Sequence, residues 1–322
     1  MITSDFGVAI VTYARSDQVK DSILKAIRAG VPYILVWIDG PKNQLVARKQ
    51  QITKNTIESI RAEYPSVCIV YSHSRANSGA AASVLAASTF LFSKVSEGVV
   101  LEDDLQVDKE FFQNISVGID LSRNYQDIWM TSGTRVFEID ADVCWDELNY
   151  PVGWGWGTSS TKWKEIYSAL SQTPTLDEIK GLRRRGFLKT GYKRAAEGFT
   201  DAWDTPLAAI MVAQNKRCLV PPVNLVTNIG FDQYATHTNE IAWPLGLARQ
   251  PLPDNNQKAT SSEKLENNNT FYEKHVFKIG FRHIFAPKYD IILRTLRVKN
   301  SKNLGPLIAR AQNSLSNAEI NE

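Results

Sequence analysis

Cysteine is scarce in this chain. There are three in 322 residues, Cys68, Cys144 and Cys218, odd in number and far apart. They make neither a disulfide framework nor a metal cluster, and their scarcity points to a reducing compartment. Long hydrophobic runs are missing too. No stretch approaches the ~18 apolar residues of a membrane span. The start, MITSDFGVAI, shows neither the basic region nor the apolar core of a signal peptide. Net charge is only +3, too little to argue for nucleic acid as a partner across the whole chain. No internal repeat is evident. These absences leave a soluble, cytoplasmic protein of one large domain or two small ones as the expectation.

What is present fits that expectation. The chain is 43% apolar, 10% aromatic and 22% charged, an ordinary globular composition. Its eight tryptophans are expected to lie mostly in the core, with some free to line a ligand cleft. The first hundred residues alternate short apolar runs with longer helical patterns. FGVAIVTYA, YILVWIDG, SVCIVYSH and GVVLEDD read as strands. Between them lie three helices: DQVKDSILKAIRAG, with Ser16 as its cap and Gly30 as its stop, then residues 42–63, then GAAASVLAASTFLFSKV. Such alternation implies an α/β fold, a Rossmann-like, mostly parallel sheet with helices on both faces. Ligands then bind at the carboxyl ends of the strands. The polar residues there are Thr12 to Arg15, Asp39-Gly40, His73 to Asn77 and Glu102 to Asp104, and they are expected to share one cleft.

The second half is less regular. KEFFQNISVGIDLSRN reads as a helix and DIWMTSG as a strand. A Gly-Trp loop, PVGWGWG, precedes a helix that begins near Ser159. In FTDAWDTPLAAIMVAQN, Thr205 and Pro206 suit the cap and first position of another helix. RCLVPPVNLVTNIGF is a strand and loop, and the polar residues 251–269 read as a mobile linker.

Three adjacent acids, Glu102, Asp103 and Asp104, close the fourth strand. Side chains alternate along a strand, so Glu102 and Asp104 share one side and Asp103 takes the other. Carboxylates at a strand end suit a hard divalent cation, Mg2+ or Mn2+, which keeps positions open for water and substrate phosphates. A solvated acidic turn is the plain alternative.

Four segments, in order, give a more specific reading. VVLEDDLQVDKEFF resembles the acidic metal-site segment of the N-acetylglucosaminyltransferase I family and its protein O-mannose-linked relatives, inverting glycosyltransferases of the GT-A fold. PVGWGWGTSSTKW is similar to that family's Pro-Gly-Leu-Gly-Trp segment, AWDTPLAAIM to its Trp-Asp-Asp-Trp-Met segment, and CLVPPVNLVTNIGFDQYATHT to the strand and loop that follow. Order and spacing match across roughly residues 6–240. The Gly-Trp loop also resembles bacterial proteins described as glycosyltransferases or as hemolysin-like. Thr205 and Leu207 depart from the family's second Asp and Trp, and the Gly-Trp loop carries an extra Trp. These departures bear on the donor and acceptor sugars more than on the reaction class.

The resemblance implies roles residue by residue. Asp104 is the metal ligand and Asp204 the catalytic base, with Asp201 and Glu197 as rival bases and a helix cap as the plain reading of Asp204. Glu102 and Asp103 hold donor sugar or ribose hydroxyls. Thr12, Arg15 and Asp39 sit where the nucleobase and diphosphate bind, and Arg15 fits a phosphate as readily as a surface salt bridge. Trp154, Trp156 and Trp203 flank the donor, with core packing as the alternative for Trp154 and Trp156. His237 touches the diphosphate or the metal from a loop over the donor. In this reading residues 1–105 form a nucleotide-sugar-binding half and 106–245 an acceptor-binding and catalytic half. Residues 246–322 form a linker and a basic helical extension.

The partners implied are a nucleotide-sugar donor, UDP-linked in the first instance, and a glycan or lipid-linked glycan acceptor. GLRRRGFLKTGYKR carries Arg183, Arg184, Arg185, Lys189, Lys193 and Arg194, suited to an anionic acceptor or to a solvated face. Residues 271–300 interleave aromatics with bases and contain two acids, Glu273 and Asp290. They fit a segment lying on the inner membrane surface and equally a helix packed back on the domain. Three other readings stay open: a nucleotidyltransferase, a silent nucleotide- or sugar-binding module, and a membrane-active protein acting through the tail.

Overall fold

The computed structural model describes residues 2–135, 144–172, 186–230, 262–273 and 303–321. It is a mixed α/β structure around one large sheet. Strands β1 (Phe6–Thr12), β2 (Tyr33–Ile38), β3 (Cys68–Ser74) and β4 (Glu97–Glu102) alternate with helices α1 (Ser16–Arg28), α2 (Gln44–Glu63) and α3 (Ala80–Lys94). The four strands are parallel, in the order β3-β2-β1-β4. Every residue of β1 is buried, as expected of a parallel strand covered on both faces. Gly30 ends α1 with φ +78°, a conformation that costs glycine little, and its N–H bonds the carbonyl of Ile27 at 2.9 Å. Ser16 is the first helical residue rather than the cap. Arg15 holds the cap position, and no side chain bonds there.

After β4 come β5 (Leu105–Val107), α4 (Phe111–Ser122), β6 (Ile128–Ser132), β7 (Asp146–Leu148), β8 (Trp156–Ser159), α5 (Ser160–Ser171), α6 (Gly186–Ala196), α7 (Asp204–Ala213), β9 (Arg217–Val220) and β10 (Val226–Asn228). The sheet continues β4-β8-β6-β9-β7. Strand β8 lies antiparallel between β4 and β6, with Val100 opposite Trp156. The second half of the Gly-Trp segment is therefore a central strand, where sequence reading expects only a loop. Glycines obscure a strand pattern, and here they are needed for close approach. A Cβ on Gly98 would lie 2.7 Å from the Gly7 carbonyl oxygen, and one on Gly157 would lie 2.8 Å from that of Gly98. These neighbours are backbone and cannot rotate away. Gly98→Ala is expected to cost about 1–3 kcal/mol of stability, read as a lower urea midpoint, with the far end of the strand left intact.

The C-terminal residues correct two expectations. Part of the expected linker is helix α8 (Ser262–Tyr272). Its polar residues are spent on the edge of the sheet. Asn269 exchanges hydrogen bonds with Asn149 at 2.8 and 2.9 Å, Lys264 pairs with Asp146 at 2.8 Å, and the Tyr272 hydroxyl donates to Pro151 at 3.1 Å. Helix α9 (Gly305–Ser316) and strand β11 (Ala318–Asn321) then return to the amino-terminal half. β11 pairs antiparallel with β3, and α9 packs on α3. That explains why α3 is apolar nearly all round: it lies between the sheet and α9. Residues 274–302, which hold most of the basic tail, lie outside the described residues, as do Arg183, Arg184, Arg185 and His237. Among the described residues no helix is long and apolar enough to cross a membrane. All three cysteines are free, and burial pushes the Cys218 thiol up to about 12.

Candidate active site

The carboxyl ends of β1, β2 and β4 face one region. At the end of β1 the Thr12 hydroxyl donates to Asp103 at 2.6 Å, the Tyr13 N–H at 3.1 Å and the Arg15 guanidinium at 3.1 Å. Asp103 is thus seated by the neighbouring strand. Both of its oxygens accept, so it braces the triplet against the end of β1. Arg15 also stands 4.0 Å from Asp104. It is a cation inside the acidic cluster, only partly exposed, and not a stray surface bridge.

Asp39 is buried at the end of β2. It accepts from the N–H groups of Gly40 (2.8 Å), Ser78 (2.8 Å) and Gly79 (3.0 Å) and from the Asn77 amide (2.7 Å). Burial pushes its carboxyl up, and the backbone donors Ser78, Gly79 and Gly40 pull it part of the way back. Four donors fill what a carboxylate can accept. Asp39 therefore ties the β2 end to the loop before α3, in place of the direct donor contact expected of it. Gln50 of α2 supports the same wall, donating to the carbonyls of Tyr13 at 2.8 Å and Asp39 at 2.7 Å.

The triplet meets a segment a hundred residues later in the chain. Glu102 accepts a hydrogen bond from Trp203, and its carboxyl is pushed up to about 8 by burial and then by Asp104, Asp204 and Asp103. The charge coupling between Glu102 and Asp204 sets Asp204 near the strand end. Trp203 is buried and packs on Trp156, ring centroids 5.2 Å apart. Trp156 belongs to the core, packed also on Trp163, so it lines no sugar site. Trp154 is half-buried, and its carbonyl accepts from Thr134 at 2.8 Å. Helix α7 begins at Asp204, ahead of the expected Thr205, and the Thr205 N–H donates to the Asp204 carboxylate at 2.7 Å. Asp204 is exposed at this helix amino terminus, where the dipole favours a carboxylate.

Glu102 gives the site a pH signature. Its carboxyl holds a proton up to about 8 in the folded chain, against an ordinary 4.5 in the unfolded one. The folded state binds more protons over that window, so stability falls as pH rises from about 4.5 to about 8. In metal-free buffer Glu102→Gln is expected to flatten that fall. The measurement is the urea midpoint of variant and wild type at both ends of the window, and equal slopes would refute it.

The rival bases are otherwise engaged. Asp201 accepts the Ala80 N–H at 2.6 Å, at the start of α3, and pairs with Arg310 of α9 at 3.4 Å. Arg310 also donates to the Ser78 carbonyl at 3.2 Å. Glu197, just past the end of α6, pairs with Lys193 at 3.7 Å. Sequence reading missed the roles of Tyr13, Gln50, Asn77 and Arg310. Tyr13 and Asn77 lie in strand-end polar runs and so left a signal, whereas Gln50 and Arg310 act through tertiary contacts.

Asp104 turns toward β10. The Ile229 N–H donates to its carbonyl at 2.8 Å, and a Cβ on Gly230 would stand 2.4 Å from its carboxylate. Among the described residues no group of three His, Cys, Asp or Glu is arranged to hold a metal. Asp104 alone can still serve Mg2+ or Mn2+, since such ions are often held by one or two carboxylates plus substrate phosphates. The raised Glu102 marks the same place as one with excess negative charge.

Together these features define a Rossmann-like α/β domain with an acidic strand-end site. Compared with known families and with curated proteins, the sequence matches none. Among solved structures, a UDP-glucose pyrophosphorylase complexed with UDP-glucose is similar at 10% identity and a TM-score of 0.38, over 69% of this chain and 90% of that one. Likeness at that level carries no argument about function.

Proposed function

We propose that this chain is a metal-dependent inverting glycosyltransferase of GT-A type. It moves a sugar from a nucleotide diphosphate sugar, a UDP-sugar in the first instance, to a hydroxyl of a glycan or lipid-linked glycan acceptor. The observation that carries the reading is the meeting of Glu102–Asp104 with Trp203-Asp204, two segments that sequence alone links only by resemblance.

The residues divide the work. Asp204 is exposed at a helix start, suited to take the proton of an acceptor hydroxyl as it attacks the anomeric carbon. Arg15 sets a fixed positive charge beside the leaving diphosphate. Glu102, next to Asp104 on the same strand end, is placed to meet a donor hydroxyl. Trp203 orients Glu102 through the indole N–H. Asp103 and Asp39 hold the strand ends in register. A hard divalent cation held by Asp104 would neutralise the diphosphate as it departs.

The test is a thermal-shift series with nucleotide diphosphate sugars, with and without Mn2+. A ligand at ~100 times its dissociation constant adds ~2.7 kcal/mol, a rise of a few degrees for a chain of this size. A metal-dependent rise with at least one nucleotide sugar is the expected result. A folded sample that shifts with none of them would sink the reading.

A further inference from the structure

Helix α2 buries one face and leaves the other with an uncommon composition. Gln50, Thr53, Ile57 and Ile60 point inward. On the outer side Leu45 and Ile52 are 64% and 58% exposed, two of the four most exposed large hydrophobic side chains among the described residues. Seven residues is two helical turns, so the pair forms one line along the helix. At about 100° per residue, Arg48 stands about 60° to one side of Leu45 and Lys49 about 40° to the other. From Pro41 to Ile57 there is no acid, against four bases, Lys42, Arg48, Lys49 and Lys54. This face begins beside the site: the Lys42 N–H donates to the Tyr13 hydroxyl at 3.1 Å.

We propose that the outer face of α2, around residues 45–52, rests on an anionic bilayer surface. An aliphatic line flanked by cations matches the headgroup boundary, where Leu and Ile enter the acyl edge and basic side chains reach back to phosphates. Charge complementarity selects the partner, since the cytoplasmic leaflet carries negative potential that falls off within a Debye length. Two aliphatic side chains are few for a protein groove, which takes anchors over more turns. The segment is separate in sequence from residues 274–302, and the inference does not rest on the proposed reaction.

The experiment sediments the full chain with vesicles of phosphatidylcholine alone and of phosphatidylcholine with phosphatidylglycerol. Binding is expected only to the anionic vesicles and is weakened by high salt. Leu45→Ser with Ile52→Ser, and separately Arg48→Glu with Lys49→Glu, are each expected to lower partitioning by about tenfold or more. Circular dichroism, melting temperature and nucleotide-sugar shifts should be unchanged in both, so loss of fold and failure of the donor site are read separately. Wild type that stays in the supernatant overturns the proposal, as when α2 meets an acidic protein. Anionic-vesicle binding that both double variants retain also overturns it and moves the contact elsewhere on the chain.

Discussion

Asp204→Asn is expected to lower sugar transfer by about 10²–10⁴-fold, the usual worth of general-base help, while nucleotide-sugar binding persists. Asparagine keeps the volume and can still accept the Thr205 N–H, so helix α7 retains its start. What it loses is the capacity to take a proton. Asp204 also raises the Glu102 carboxyl, so the neutral amide should let Glu102 ionise somewhat more easily. Steady-state kinetics with a working donor and acceptor make the measurement, with the donor shift as control. Retained transfer would remove Asp204 as the base. Retained turnover of a different kind, nucleotidyl rather than glycosyl transfer, would favour the nucleotidyltransferase reading, which needs no base at this position. Asp201→Asn makes the contrast. Its carboxylate holds the α3 start and Arg310, so its loss should appear in melting temperature more than in the chemical step.

Asp104→Ala is expected to abolish the Mn2+-dependent part of the nucleotide-sugar shift, a loss of up to ~2.7 kcal/mol at saturating donor. It should also raise stability in metal-free buffer near pH 8, because one of the charges opposing Glu102 ionisation is gone. Opposite signs with and without metal separate a ligand-binding role from a structural one. An unchanged metal-dependent shift would move the ion off Asp104. A membrane-active protein working through its tail would show no effect of Asp104→Ala on its activity at all.

Much of the fold was legible in the sequence. Parallel strands covered on both faces are nearly continuous apolar runs, so β1 to β4 stand out as FGVAIVT, YILVWI, CIVYSHS and EGVVLE. Gly30 marked the end of α1 because a left-handed stop favours glycine. The misses have physical causes. β8 is short, with glycine where close packing against β4 forbids a side chain, so it lacks a strand's composition. Helix α8 is polar because it is bonded to an edge strand by amides, which from sequence alone looks like a linker. Strand β11 is four residues at a sheet edge, with alternating exposure and little apolar content. Its partner β3 lies some 250 residues earlier in the chain.

The site divides in the same way. The acidic triplet and its place at a strand end were fixed by local pattern: an apolar run must be buried, and three adjacent carboxylates cannot all follow it into the core, so the strand ends there. Which acid does what was decided only by tertiary structure. β4 ends at Glu102, so strand alternation does not decide the facing of Asp103, which the turn sets against the end of β1, where Thr12, Tyr13 and Arg15 occupy it. Asp39 is drawn inward by its neighbour Gly40 and by two backbone N–H groups, Ser78 and Gly79, from a loop no local pattern connects to it. Asp204 and Glu102 become neighbours because Trp203, at the start of α7, packs on Trp156 of β8. Composition along the chain sets which residues must be buried and which must reach water. Charge coupling between segments a hundred residues apart depends on distance in space, and only the packed fold sets that distance.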